Sequence, residues 1–303
     1  MSQPMPASLP KPFSFRAMMS ELFGREPSPS VDFEPPVIAS LTKPLTEAKV
    51  GMFVSCGVFH RADQTPLQPT NDLSYRLVSR ETPLADLELA HRAAIRAFAV
   101  RDLNVAYPRD RMLELEQEGI FRELAANAVS LVGAISRQEE FLREVVPHIH
   151  DEFVSQEVDL VLLLPFCPAC HLTVPLVARA LEKRGLPTVM TSCLWERVHE
   201  YKAPRTAFLD FPMGCPAGKP GEPALQRDIL RAALTIGARP QTAWSVDELP
   251  FSWSADGSRA WEDEVRQLYI DDAKGFDERA GSLAENRQSP AGEERDFAIR
   301  CAC

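Results

Sequence analysis

Hydrophobic residues are most concentrated between positions 158 and 185. Val158 to Leu164 is apolar without alternation, which predicts a strand covered on both faces of a parallel sheet. Beyond the turn Cys167-Pro-Ala-Cys170, residues Leu176, Val177, Ala180 and Leu181 recur at helical spacing, and Gly185 with Pro187 stops the helix. Other segments repeat this strand-then-helix alternation. A buried strand is predicted over 49–58, ending at Ser55-Cys56-Gly57, and a short one over 75–78. Further strands are predicted over 128–135, 188–192 and 205–211. Helices are predicted from Pro108 to Glu118, from Arg137 to Phe153 with Ser136 as cap, over 195–201, and from Glu222 to Ile236. Residues 82–101 read as broken helix, 103–107 as extended, and the start of 120–135 as a short helix. The fold class is α/β: a mostly parallel sheet with helices on both faces, in Rossmann-like layers.

Three regions follow. Residues 1–36 form a Pro-rich tail with one amphipathic helix over 15–23. Residues 37–240 form the α/β core, with room for two Rossmann-like halves. Residues 241–303 form an acidic, partly disordered extension with a helix over 260–272, ending Cys301-Ala-Cys303. This extension holds 14 acids against 7 Lys or Arg, so most of the net charge of −10 lies there. The negative balance argues against nucleic-acid binding. No apolar run reaches the length of a membrane span, and no basic start followed by an apolar stretch marks a secretory signal. Seven cysteines in 303 residues are not a secreted disulfide framework, and a cytoplasmic location with free thiols is expected.

The chemistry centres on Cys167 and Cys170. A CxxC at a helix N-terminus can cycle between dithiol and disulfide, because the unpaired N–H groups favour thiolate. The same spacing is half of a zinc site, completed by Cys301 and Cys303, or by His171 and Cys193. It also fits two inert buried thiols. Cys56, Cys193 and Cys215 fall at predicted carboxyl ends of strands, which share one edge in a parallel sheet. The 212–221 loop, with Gly218 and Lys219, can hold a carboxylate or phosphate at the following helix. Asp102, Asn104, Asp110 and Arg111 form a polar cluster around Pro108, equally consistent with helix capping. His60 and His91 lie near the loops of the first strand.

These residues resemble the selenoprotein B (component B) family of the glycine, sarcosine, betaine and D-proline reductases, over roughly residues 45–240. That family carries selenocysteine-x-x-Cys after a buried strand, then a helix ending Gly-Ile-Pro. Here Cys167-Pro-Ala-Cys170 is followed at the same distance by Gly185-Leu-Pro187. The family's Asp-x-Asn…Pro-x-Asp-Arg region resembles Asp102-Leu-Asn104, Pro108 and Asp110-Arg111. Its Pro-Leu-Gly-Asn-Pro loop resembles Pro216-Ala-Gly218-Lys219-Pro220. Cysteine stands at the selenocysteine position, and Cys215 stands where the family often has His.

The resemblance implies a thiol-dependent oxidoreductase that cleaves a C–N or related bond of a small amino-acid-like substrate. Cys167 would be nucleophile and Cys170 resolving thiol. Cys56, His91, Asp102, Asn104, Asp110, Arg111, Cys193, Cys215, Gly218 and Lys219 are the pocket candidates. Independently of the resemblance, the dithiol Cys301-Ala-Cys303 that ends the tail is expected to serve as a redox relay to the Cys167–Cys170 pair. The expected partners are a thiol reductant such as thioredoxin and a partner reductase subunit, which in some members bears a pyruvoyl group. No tightly bound cofactor is expected on this chain. The alternatives are a zinc-binding protein using Cys167, Cys170, Cys301 and Cys303, and a noncatalytic subunit of a reductase complex.

Overall fold

A computed structural model describes residues 12–24 and 30–284, with the side chains of the last helix described to Lys274. The strands are β1 (Lys49–Val54), β2 (Val58–His60), β3 (Arg76–Ser79), β4 (Leu87–Leu89), β5 (Glu123–Leu124), β6 (Asn127–Ser130), β7 (Leu160–Leu164), β8 (Thr188–Ser192), β9 (Arg205–Phe208) and β10 (Ser245–Glu248). The helices are α1 (Phe15–Phe23), α2 (Arg96–Arg101), α3 (Arg109–Gln117), α4 (Gln138–Glu140), α5 (Val146–Ser155), α6 (Cys170–Lys183), α7 (Trp195–Tyr201), α8 (Pro223–Gly237) and α9 (Trp261–Ala284).

The central sheet runs β10-β9-β8-β7-β1-β6-β3, with β5 also paired to β1 and β2-β4 forming a separate hairpin sheet. Every pairing in the central sheet is parallel except β3 with β6. The β7 residues are all buried, as an apolar run without alternation requires. Helices cover both faces. Thr188 bonds Glu182 of α6, while its neighbour Val189 packs on Gly237 of α8, and successive strand residues point to opposite faces.

β1 sits in the middle of the sheet. On one side of it lie β6 and then β3, reached in the reverse chain order, and on the other the chain builds outward from β7 to β10. The order reverses between β1 and β7, where open α/β sheets offer a crevice at the carboxyl ends of the strands.

Several local expectations are corrected. Residues 87–89 form a strand against β2, because the antiparallel register Val58↔Leu89 outweighs their weak helical spacing. Residues 103–105 are a 3-10 turn rather than extended, since the Asp102 side chain caps the Asn104 N–H. No short helix opens 120–135; β5 pairs with β1 there. The helix near 137 starts at Gln138 and passes through a π turn over Phe141–Val145, next to Pro147, which lacks an N–H to continue the ladder. Ser136 does not cap it. The Ser136 hydroxyl bonds Asn71 instead. The 241–303 extension begins as sheet, with β10 paired to β9.

The two ends of the described chain meet. Phe13 and Phe15 of the N-terminal segment pack on Trp261 and Tyr269 of α9. No helix among the described residues is long and apolar enough to cross a membrane.

Candidate functional site

The crevice between β1 and β7 is closed by side chains from both strand ends. The Ser55 hydroxyl donates to the Leu164 carbonyl (3.2 Å), and its oxygen accepts the Phe166 N–H (3.0 Å). This fixes the path of the chain into the Cys167 turn. The Cys170 N–H then points at the Cys167 sulfur at 3.2 Å, as expected for a negative group at the start of α6.

Cys167 and Cys170 sit with sulfurs 3.1 Å apart, as free thiols rather than a disulfide. His91 arrives from the end of β4. Its Nε2 is 3.6 Å from the Cys170 sulfur, its Nδ1 accepts the Ala93 N–H at 3.1 Å, and its ring stands edge-on to Phe166. One ligand atom each from His91, Cys167 and Cys170 lies within 4.8 Å of the others, and all three residues are buried. Gly133 presses on this group from above: a Cβ there would lie 2.9 Å from the Cys170 sulfur and from Ser55 Cβ. Only a residue without a side chain lets the 131–135 segment lie so close.

The electrostatics single out Cys170 among the described cysteines. Burial alone would raise the Cys170 thiol, but the Cys167 sulfur, the His91 imidazole and Ser55 hold it well below its ordinary value. Burial pushes Cys56 up to about 12 and raises Cys193 and Cys215, which have no comparable compensation and stay neutral thiols.

His171 takes a structural post beside the pair. Its Nδ1–H donates to the Cys167 carbonyl (2.8 Å), and its Nε2 accepts the Cys193 N–H (3.4 Å). Burial pushes its pKa down to about 4, so it stays neutral and joins the turn to the end of β8.

The other candidates separate into walls and surface. Cys193 and Cys215 lie buried at the same sheet edge, and Cys56 follows β1 with its thiol toward the Ala106 carbonyl. The 212–221 loop packs under the pair through Gly214 N–H to the Phe166 carbonyl and Ala217 N–H to the Val105 carbonyl. The chain's own Asp102 takes the place at the start of α8 where a ligand anion was anticipated. Its carboxylate accepts the Gly221 N–H (3.0 Å) and the Gln226 amide (2.8 Å). Lys219 bonds the Trp253 carbonyl. Asn104 accepts the Asp110 N–H, while Asp110 and Arg111 pair with Arg109 and Glu114. Cys301 and Cys303 lie outside the described residues.

Burial raises the Asp102 carboxyl, yet its hydrogen bonds to Gly221, Gln226 and Asn104 outweigh this and leave its pKa lowered. A depressed folded pKa stabilises the fold above the unfolded value near 3.8, and that contribution is lost as pH falls below it. Asp102→Asn should therefore lower stability by about 1–3 kcal/mol at pH 7. Its deficit against the parent should shrink at pH 3. Urea unfolding at the two pH values reads both effects.

The expectation of no tightly bound cofactor is overturned by the His91–Cys167–Cys170 cluster. It offers an imidazole and two thiols to one point, a donor set suited to a thiophilic cation. The zinc alternative of the sequence had paired the CxxC with Cys301 and Cys303, or with His171 and Cys193. The third donor among the described residues is His91. It lies 76 positions before Cys167, beyond any local spacing rule. Ser55, Phe166 and Gly133 also escaped the sequence. The Ser55-Cys56-Gly57 break at the end of an apolar strand was the one signal pointing toward them.

The chain is similar to the D-proline reductase subunit gamma of Acetoanaerobium sticklandii, 29% identical over 221 residues, covering 73% of this chain and 91% of that protein. It is also similar to the glycine reductase complex component B subunit gamma of Symbiobacterium thermophilum, 24% identical over 237 residues, covering 73% of this chain and 53% of that one. No protein-family model and no solved structure matches the chain.

Proposed function

We propose that this chain is a subunit of an amino-acid-type reductase complex, and that its working centre is the His91–Cys167–Cys170 cluster holding a thiophilic divalent cation, zinc first. The observation that carries this reading is the convergence of three buried ligand atoms within 4.8 Å at the sheet's switch point. Two thiols and an imidazole in a largely apolar wall are costly to bury ionised, and a cation offsets that cost. His91, Cys167 and Cys170 would hold such an ion, and it would supply Lewis-acid chemistry that polarises or orients a small molecule. The reductase assignment, a partner subunit and a small amino-acid-like substrate rest on the likeness to the D-proline and glycine reductase subunits.

One observation favours a second reading, in which the same two sulfurs act as a dithiol that gives two electrons and becomes a disulfide. His91 Nδ1 accepts the Ala93 N–H, which leaves the proton on Nε2 and makes the ring a donor toward the Cys170 sulfur. A neutral imidazole that ligates through Nε2 carries its proton on Nδ1, so the metal reading requires the Ala93 hydrogen bond to be given up.

Metal analysis of the anaerobically purified full chain separates the two. The metal reading expects about one zinc per chain, retained through gel filtration and lost with the cluster variants discussed below. A chain that takes up no zinc, while losing two thiols at Cys167 and Cys170 on mild oxidation, overturns it in favour of the dithiol.

A further inference from the structure

The cluster is sealed: Cys167 and Cys170 are 0% exposed and His91 is 1% exposed. Two open surface cavities lie elsewhere, one beside α8 and β10 and the other between residues 35–37 and α6, and neither is lined by a cluster residue. Any ligand that reaches the sulfurs must displace part of the wall. One part of that wall is built differently from the rest. Leu67, 3% exposed, packs with Val132 and Ala134 in a small apolar group separate from the main core, against Ala90 and Ala169. Ala90 precedes His91, Ala169 precedes Cys170, and Val132 and Ala134 flank the Gly133 that touches the Cys170 sulfur. Leu67 is the one long side chain among small ones in this group, whose other members neighbour His91, Cys170 and Gly133 in the chain.

Leu67 sits on the 15-residue connection between β2 and β3, which has no secondary structure of its own. Loops of that length are commonly functional. The connection is anchored at its ends, by Gln64 to the Leu77 carbonyl and by Arg76 to the Thr65 carbonyl. Asp72 stiffens it internally through the Gln68 N–H, the Ser74 N–H and the Ser74 hydroxyl. It is latched at one further point. Asn71, held at φ 50, donates its N–H to the Ala134 carbonyl and accepts from the Ser136 N–H and hydroxyl.

We propose that residues 65–74 form the gate to the cluster, with Leu67 as its plug and Asn71 as its latch. The pocket that Leu67 vacates is lined by Ala90, Val132, Ala134 and Ala169, so it takes the aliphatic part of a small molecule while its polar end faces the sulfurs. Opening breaks the satellite apolar group of Leu67 and the half-buried packing of Leu73 on the main core, and leaves the buried core residues in place. Such local openings cost less than global unfolding. The gate governs access to the sulfurs whether a metal or a dithiol works there.

The test is the rate at which iodoacetamide alkylates Cys167 and Cys170 in the reduced, chelator-treated full chain under native conditions, mapped by mass spectrometry. Leu67→Ala should raise the rate about 10–100-fold, because it removes the plug without touching the sulfurs. Asn71→Gly should raise it in the same direction, since glycine also accepts the positive φ, and it serves if Leu67→Ala does not fold. Ile229→Ala is the control. It empties a separate small apolar group formed with Cys193, Leu209 and Phe211, which shares no member with the Leu67 group. Its rate should stay within about twofold of the parent. An unchanged rate in both gate variants, or an equal rise in the control, overturns the gate.

Discussion

Serine at position 167 or 170 should leave the purified chain without stoichiometric zinc. Each substitution replaces a thiolate with a hydroxyl that stays protonated at neutral pH, so the cation loses both a ligand and a charge. The loss in affinity should exceed the roughly 10–100-fold cost of removing an outer-shell partner of a metal ligand. His91→Ala tests the third donor. In the metal reading it weakens zinc binding in competition with a chromophoric chelator. In the dithiol reading it leaves no metal signal to change, but removes the imidazole that helps hold the Cys170 thiol below its ordinary value. Cys193→Ser is the matched comparison, because that thiol is buried at the same edge yet lies outside the cluster. It should leave zinc content unaltered. Zinc lost equally from Cys193→Ser and from the cluster variants would mean that the fold, not the cluster, governs binding.

Arg205→Ala should cost about 3–5 kcal/mol of folding stability, measured by urea denaturation. Arg205 and Glu182 pair with both side chains fully buried. The Glu182 carboxylate also accepts the Thr188 N–H (2.7 Å), the Thr188 hydroxyl (2.8 Å) and the Ala39 N–H, while Arg205 reaches the Ala39 carbonyl. Truncating the arginine leaves a buried carboxylate without its counter-charge, which is the expensive outcome. The pair ties α6, the starts of β8 and β9, and the segment around residue 39 to one point. The double variant Arg205→Met/Glu182→Leu should therefore lose less than Arg205→Ala alone, since no charge is left stranded. Additive losses would argue that the two side chains act independently.

The sequence was most legible where burial alone decides conformation. The apolar run ending at Leu164 could only be a strand covered on both faces, and β7 is that strand. The Pro108 helix start, the strand at 188–192 and the helix after Glu222 were readable from proline, glycine and β-branched residues. What failed depended on partners distant in the chain. Residues 87–89 became a strand because β2 lies beside them, and 245–248 joined the sheet because β9 left an open edge. The site divides in the same way. The CxxC turn is local and was visible. Its imidazole partner comes from a separate two-stranded sheet, and Asp102 meets the loop before α8 from 119 residues upstream. Those meetings are properties of the crossover connections, which no short spacing encodes.

The pairing of β1 with β7 has a consequence during synthesis. Lys49 N–H meets the Asp159 carboxylate at a sequence separation of 110, and β1 lies in the middle of the finished sheet. At roughly 5–20 residues per second, the ribosome delivers β7 about 5–20 s after β1. For that interval the β7-facing edge of β1 waits without its neighbour, exposed to mispairing and to chaperones. Folding of this chain should accordingly be slow and depend on its rate of translation, because its central strand pairing is the most distant in sequence of the described sheet pairings.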